Sequence, residues 1–350
     1  MTRAYTASRR QIASLRLAAQ GIGAAPFATP TEVVRHMLAL QAQDFAGAKW
    51  SIGLRTATAV DADVEAAIAA REIVRSWPMR GTLHIVPAED LGWMLGLTGA
   101  RTVQSAAGRH RELGLDDSAF ALGARIAEKA VGDAGVLSRP GLLAAFESAG
   151  LSTAGQRGYH LLLYLTVTGL LVFATREGKQ HSYALLREWV QTRRELGGDE
   201  ALAEFARRYF VSHGPASIRD FAWWSSLTLT QARRGLAMVA DELERLVVDE
   251  IEYWHRPGLE PAPPGVVALP GFDEYVLGYQ NRTAQLSAEW FQRIVPGGNG
   301  MFFPTIVVDG EIVGIWKRAG FRDYFAPLSA ANQRALDRQI GRNAEFLGLA

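Results

Sequence analysis

The chain has 350 residues, of which 48% are hydrophobic and 21% charged, with a formal net charge of +1 and no cysteine. That length buries a large core and divides into two or more units. The missing cysteines exclude disulfides and thiolate metal sites and suit a reducing compartment, while the near-neutral charge excludes a uniformly basic coat for nucleic acid. Residues 1–19 carry Arg3, Arg9, Arg10 and Arg16 without the apolar core of a signal peptide, and no apolar run is long enough to span a bilayer. A cytoplasmic, nucleoid-associated protein with no membrane partner is expected. Lysine occurs only at positions 49, 129, 179 and 317, so the rest of the 37 basic residues are arginine. A GC-rich genome produces this bias, and so does a need for the planar fork that grips phosphate bidentately.

Residues 8–20 are expected to be helical, with Ile12, Leu15 and Leu17 inward and Gly21 and Gly23 ending the helix. Thr29-Pro30-Thr31-Glu32 is a second helix start, with a threonine cap, proline in the first turn and a glutamate three residues on. Val33, Val34, Met37 and Leu38 recur at helical spacing, and Gln41 falls four residues after Met37 on the same stripe. Gln41 is thus expected to aim a carboxamide inward, with Gln43 turned towards the same space at the helix end. A desolvated amide is costly unless its donors and acceptor find partners. The ordinary alternative is that Gln41 satisfies a backbone group while Gln43 is solvated. Asp61 or Asp63 caps a third helix through Val64, Ala67 and Ile68, and a strand over residues 81–86 closes the unit. Three helices and a short sheet are the plan of a winged helix, a helix-turn-helix variant.

The plan then recurs. Residues 88–113 form a bridging helical segment with Leu91, Trp93, Met94 and Leu97. Helices follow over residues 120–131, from the cap Ser138-Arg139-Pro140 to about Gly150, and over 159–168; strands 170–174 and 181–185 flank a wing at Arg176-Glu177-Gly178-Lys179. A third copy has helices over 201–212, from Ser217-Ile218-Arg219-Asp220 to Ser225, and over 230–243, and then one strand over 247–254. Pro257, Pro261, Pro263 and Pro264 mark a linker. Strands at 266–269 and 305–316, the second turning at Asp309-Gly310, and a capped helix over 329–346 finish the chain.

Four stretches carry a resemblance. Leu40-Gln41-Ala42-Gln43-Asp44 resembles the glutamine-x-glutamine motif of the AlkZ-like family, tandem winged-helix proteins that include DNA glycosylases. Arg75-Ser76-Trp77-Pro78-Met79-Arg80-Gly81-Thr82-Leu83-His84, then Arg208-Tyr209 with His213-Gly214-Pro215-Ala216, then Leu269-Pro270-Gly271-Phe272-Asp273-Glu274-Tyr275 with Leu277-Gly278-Tyr279 follow in the family's order. The resemblance implies an α+β fold of tandem winged-helix repeats with a C-terminal small β-barrel-like domain. Its expected parts are a winged helix over 1–87, a bridge over 88–116, winged helices over 117–196 and 197–256, and the linker, barrel and last helix over 257–350.

By the same resemblance Gln41 and Gln43 are the catalytic pair. Asp44, the nearest carboxylate, could support them as a base or cap the next turn. His84 alternates with Leu83 and Ile85 on its strand and is a supporting candidate, although a strand histidine is more often packed or solvated. Arg157, Lys179, Arg233 and Arg234, near recognition helices and wings, are candidates for phosphate contact. Trp50, Trp77 and Trp93 are read as core, although one could stack on an extruded base. Asp273 and Glu274 could suggest a metal pair but suit structural hydrogen bonding better. No metal and no cofactor are expected, since phosphate-loop, zinc and serine-elbow patterns are missing from the sequence.

The implied activity is a monofunctional DNA glycosylase, working as a monomer on double-stranded DNA. It would remove cationic alkylated purines (N7-alkylguanine, N3-alkyladenine) and unhook interstrand crosslinks. Two other readings fit the same elements: a winged-helix DNA-binding protein without catalysis, such as a transcription regulator, and a protein-interaction scaffold.

Overall fold

The computed structural model describes residues 5–6, 8–176, 178 and 180–349. The chain forms two compact units, one of Met1–Val64 with Leu202–Ala350 and one of Glu65–Ala201. The boundary at Val64 falls inside the stretch 1–87 that was expected as one winged helix.

The first unit opens with β1 (Tyr5–Thr6) and α1 (Arg9–Ala19). Ser8 caps α1 in a closed box: its hydroxyl accepts from Gln11 N, and the Gln11 side chain accepts from Ser8 N at 2.7 Å. α2 (Pro30–Met37) starts at Thr29, whose hydroxyl accepts from Glu32 N. The Glu32 carboxylate accepts from Ala28 N at 2.8 Å, one position before the cap, so the box is displaced rather than reciprocal.

α2 then stops short of its own apolar stripe. Leu38 takes φ 64 and ψ −43, and Ala39 N donates to Met37 O at 2.8 Å. This is a γ-turn of positive φ, a strained connection for a side chain as large as leucine. Leu38 is fully buried, and its packing holds the turn. Beyond it Leu40–Gln41 is strand β2, so Gln41 does not lie on the helical face that its spacing to Met37 suggested. α3 (Phe45–Gly53) follows, a helix with no amphipathic signature because residues 47–53 are buried on every side. α4 (Asp61–Ala69) matches expectation, with Asp63 accepting from Val60 N.

In the second unit β3 (Ile73–Met79) and β4 (Thr82–Pro87) form a hairpin through Arg80 and Gly81, both at positive φ. β3 is unannounced in the sequence, because Arg75 and Pro78 interrupt its apolar run, yet every residue of it is buried. α5 (Leu91–Glu112), α6 (Asp117–Ala134), β5 (Leu137–Ser138), α7 (Arg139–Ser148), α8 (Arg157–Val167), β6 (Leu171–Phe173), β7 (Ser182–Leu185) and α9 (Leu186–Trp189) complete it. The strands run in the order β4-β3-β6-β7-β5. Trp77, Phe120, Phe146, Leu161 and Phe173 sit in the core between this sheet and helices α6 to α8.

α10 (Gly198–His213) returns the chain to the first unit, followed by α11 (Ile218–Ser225) and α12 (Leu229–Val239). The single strand expected over 247–254 is a hairpin, β8 (Glu244–Val248) and β9 (Ile251–His255). Asp249 and Glu250 turn it with φ of 50 and 64, values that an acidic pair does not advertise as Asn-Gly would. β10 (Val266–Leu269), α13 (Glu274–Leu277), α14 (Phe291–Ile294), β11 (Thr305–Val308), β12 (Glu311–Trp316), β13 (Arg322–Tyr324) and α15 (Ala330–Phe346) end the chain. The strands form an open sheet in the order β10-β11-β12-β13, with β10 and β13 as edges, and not the closed small barrel that was expected. α15 covers it, setting Leu336 against Val266, Ala268, Ile306 and Trp316. One packed helix satisfies the apolar face of a short sheet, so closure is not required.

Two histidines make the fold acid-sensitive. Burial pushes the His36 ring down to about 4, although Ala19 O lies 2.6 Å from Nε2 and opposes the shift; His213, Arg256 and Arg55 add smaller lowering contributions. His181 also falls to about 4, by burial first and then by the cations Arg75, Arg176 and Arg139. In the unfolded chain each ring titrates near 6.5. Between those values the unfolded state binds more protons, so stability is fully present above pH 6.5 and is lost as pH falls towards 4. His36 contributes at most about 3 kcal/mol, and half-buried His181 less, because solvent screens its charge. Urea unfolding at pH 7 and pH 4.5 should show the loss, and a His36→Gln, His181→Gln double variant should flatten it. An unchanged pH slope in that variant would assign the loss to other groups.

Candidate active site

Gln41 and Gln43 stand on the short extended segment after the γ-turn. In extended chain alternate side chains share a side, and burial follows that rule: Leu40 and Ala42 are fully buried, Gln41 is half-buried and Gln43 is exposed. The Gln41 Oε1 atom is buried and has no hydrogen-bond partner among the described residues. Its backbone is anchored, because Gln41 N donates to Glu274 Oε1 at 2.9 Å. The side chain is thus delivered with its carbonyl uncommitted while the main chain beneath it is fixed.

Glu274 is fully buried at the start of α13. Its Oε2 accepts from Trp224 Nε1 at 2.9 Å and lies 3.6 Å from His213 Nε2. His213 stacks on Tyr209 with centroids 4.9 Å apart, and a Cβ on Gly278 would come within 2.6 Å of the His213 ring, so only glycine fits there. Asp273, next to Glu274, receives the Arg55 fork at 2.9 and 3.0 Å and the Ser51 hydroxyl at 2.5 Å. Both carboxylates are therefore engaged with side chains and backbone, the hydrogen-bonding role expected of them. A buried guanidinium–carboxylate pair of this kind is stable only when all of its donors are matched. Arg55 also donates to Gln20 O, Gln20 Oε1 and Ser51 O, which meets that need.

The remaining candidates fall in different places. Asp44 is the cap of α3, its Oδ1 accepting from Gly47 N at 3.1 Å, with its second oxygen over Gly47. His84 belongs to the second unit and is fully buried. Its Nδ1 lies 2.9 Å from Thr82 O, and a carbonyl only accepts, so Nδ1 carries the proton; Arg80 Nη2 then donates to the Nε2 lone pair at 3.0 Å. In this arrangement His84 holds Arg80. Arg157 donates through Nε and Nη1 to the carbonyls of Ser152, Leu113 and Gly114. Arg233 and Arg234 are exposed on α12. Lys179 lies outside the described residues. Trp50, Trp77 and Trp93 are all core, Trp50 donating to Ala268 O and Trp93 to Asp90.

The family model for AlkZ-like DNA glycosylases matches residues 34–346. The chain belongs to the AlkZ-like DNA glycosylase family. As a member it is a hydrolase of N-glycosyl bonds whose substrate is DNA. A relative from Streptomyces sahachiroi, named an interstrand DNA cross-link repair glycosylase, is 25% identical over 332 residues, covering 89% of this chain and 88% of its own. The solved structure of Streptomyces sahachiroi DNA glycosylase AlkZ is 24% identical with a TM-score of 0.82, covering 99% of this chain and 98% of its own, and it shares the fold. Among the described residues of this AlkZ-like chain no helix is long and apolar enough to cross a membrane. Reading the sequence missed Glu274 as the partner of the Gln41 backbone, and Trp224 and His213 as the neighbours of Glu274. The signal available was the family segment around Asp273 and Glu274, which has two acidic residues where only a buried partner could keep them.

Proposed function

We propose that this protein hydrolyses the N-glycosidic bond of cationic alkylated purines in double-stranded DNA, N7-alkylguanine and N3-alkyladenine, and that it unhooks interstrand crosslinks built on such bases. The observation that carries the reading is the buried, partnerless Oε1 of Gln41 beside exposed Gln43. A stranded acceptor costs about 1–3 kcal/mol, and such a cost is kept where a bound partner meets it. The name of the Streptomyces relative supports the crosslink part.

The chemistry suits neutral amides. An alkylated purine carries positive charge, so when the C1′–N bond breaks its electron pair neutralises the base, which departs without a general acid. Water supplies the new C1′–O bond and its proton goes to solvent, with the second Asp44 oxygen as a nearby acceptor. Gln41 and Gln43 would hold that water and the lesion in place without titrating. Incubating the purified protein with N7-methylguanine duplex DNA should generate abasic sites; none above background would reject the activity on this lesion.

We also propose that residues 117–196 and 197–256 act as winged-helix modules that follow the backbone of DNA, and that the protein works as a monomer. Phosphate contacts are assigned to Arg233 and Arg234, to the Nη2 of Arg157 that its carbonyl contacts leave over, and to Lys179. Binding should be blind to sequence, and each of Arg233→Ala and Arg234→Ala should reduce the slope of log affinity against log salt by about one unit. Fluorescence anisotropy across a salt series measures this. Strong preference for one operator sequence would favour a regulator instead.

A further inference from the structure

Two family segments that the proposed chemistry leaves unused, 208–216 and 269–279, meet behind the glutamine strand, and their geometry suggests why. Glu274 closes a chain that runs from Gln41 N–H through its own carboxylate to the Trp224 indole and the His213 ring. Proton accounting fixes the far end. Ser212 Oγ donates its single proton to Arg208 O at 2.7 Å, so its 2.8 Å contact with His213 Nδ1 must run from the ring to the hydroxyl. His213 therefore turns Nε2 towards Glu274 Oε2, 3.6 Å away. The imidazole is fixed from several sides: stacked on Tyr209, seated on Gly278, and with its own carbonyl held by the Tyr279 hydroxyl at 2.7 Å. Gln20 fixes the other side of α13, its Nε2 reaching Glu274 O at 3.3 Å and Tyr279 Oη at 2.9 Å.

We infer that Glu274 is a positioning residue for excision: its carboxylate fixes the backbone of Gln41 and thereby aims the two glutamines. The inference rests on the reading of Gln41 and Gln43 as the residues that face the lesion. The physical need for it is local. β2 is entered through a strained turn, and one charge-assisted hydrogen bond from Gln41 N–H to a wholly buried carboxylate adds a fixed point to its register. Glu274 is fully buried, with Oε1 accepting from Gln41 N and Oε2 from Trp224 Nε1, so it acts through Gln41 and not on substrate.

The test uses the whole protein, N7-methylguanine duplex DNA and the variants Glu274→Gln, Glu274→Asp and Trp224→Phe. Single-turnover excision, DNA affinity, thermal midpoint and the amide resonance of Gln41 are read for each. Glu274→Asp keeps the charge but draws the acceptor back by one methylene; Glu274→Gln has one acceptor oxygen for two donors, so its NH2 faces either the Gln41 N–H or the Trp224 indole N–H. Both are expected to lower the excision rate about 10- to 100-fold, the scale for a misaimed catalytic group. DNA affinity should stay within about twofold, and the Gln41 amide should shift. Trp224→Phe removes one donor from Oε2 but leaves Oε1 on Gln41, so it should lower the rate less than either Glu274 variant; a larger loss than theirs would overturn the inference. A purely structural role would lower rate, affinity and midpoint together, and that outcome overturns the inference, as does unchanged excision in folded Glu274 variants. If neither Glu274 variant folds, amide hydrogen exchange in the wild type decides: a protected Gln41 amide supports the inference and a rapidly exchanging one overturns it. Wild-type protein that leaves N7-methylguanine intact would instead reject the glycosylase reading on that lesion, whatever the Gln41 amide shows.

Discussion

Replacing Gln41 or Gln43 with alanine should lower excision of N7-methylguanine by about 10²–10³-fold, the loss typical of removing one preorganised polar contact from a transition state. The fold should survive both changes. Gln43 is exposed, and the Gln41 side-chain carbonyl satisfies nothing that would be stranded without it. Alanine at 41 removes a buried acceptor with no partner while leaving the backbone bond to Glu274 in place, so stability should be unchanged or should rise by roughly 1 kcal/mol. Because both amides act on one water and one lesion, the double variant should lose less than the product of the single losses. Single-turnover rates on matched DNA, with urea midpoints as the control for folding, measure all of this. A double variant that keeps full excision would place the chemistry elsewhere and leave this segment a structural one.

Much of this arrangement was legible in the sequence, and the failures have physical causes. The start of α2 was readable because Thr29 and Pro30 act within four residues of themselves. Its end was not, since Leu38 adopts a positive φ that only its burial sustains, and no local rule predicts that a leucine will take it. The consequence is specific. Gln41 was right as an inward-facing amide, but the face it shares with Gln43 comes from strand alternation and not from a helix. α3 and β3 were invisible for the opposite reason: when every residue is buried, periodicity disappears. The Asp309-Gly310 turn was readable because glycine at φ 90 is the usual sign of it, whereas Asp249 and Glu250 make an equivalent turn without that sign. Glu274 could be read as hydrogen-bonded but not as bonded to Gln41, since 233 residues separate the two and only the tertiary fold joins them.

The largest effect expected is in substrate choice. The proposed site offers neutral amides and the spare oxygen of a capping aspartate, so it lacks a group to protonate a departing base. N7-alkylguanine and N3-alkyladenine leave as neutral molecules and need none. Uracil, hypoxanthine and 8-oxoguanine depart as anions unless they are protonated or strongly hydrogen-bonded, and they face a barrier higher by several kcal/mol. Since each 1.4 kcal/mol or so is about tenfold in rate, discrimination of about 10³-fold or more should follow without a tight base pocket. A permissive site also admits bulky adducts, which suits crosslink unhooking better than an enclosing pocket for a flipped base. The most direct measurement places N7-methylguanine or uracil at one position of the same duplex and counts abasic sites under single-turnover conditions. Abasic sites should form from N7-methylguanine and stay at background from uracil, whereas efficient uracil release would contradict the account, because it demands an acid or an anion-stabilising group that Gln41 and Gln43 do not provide.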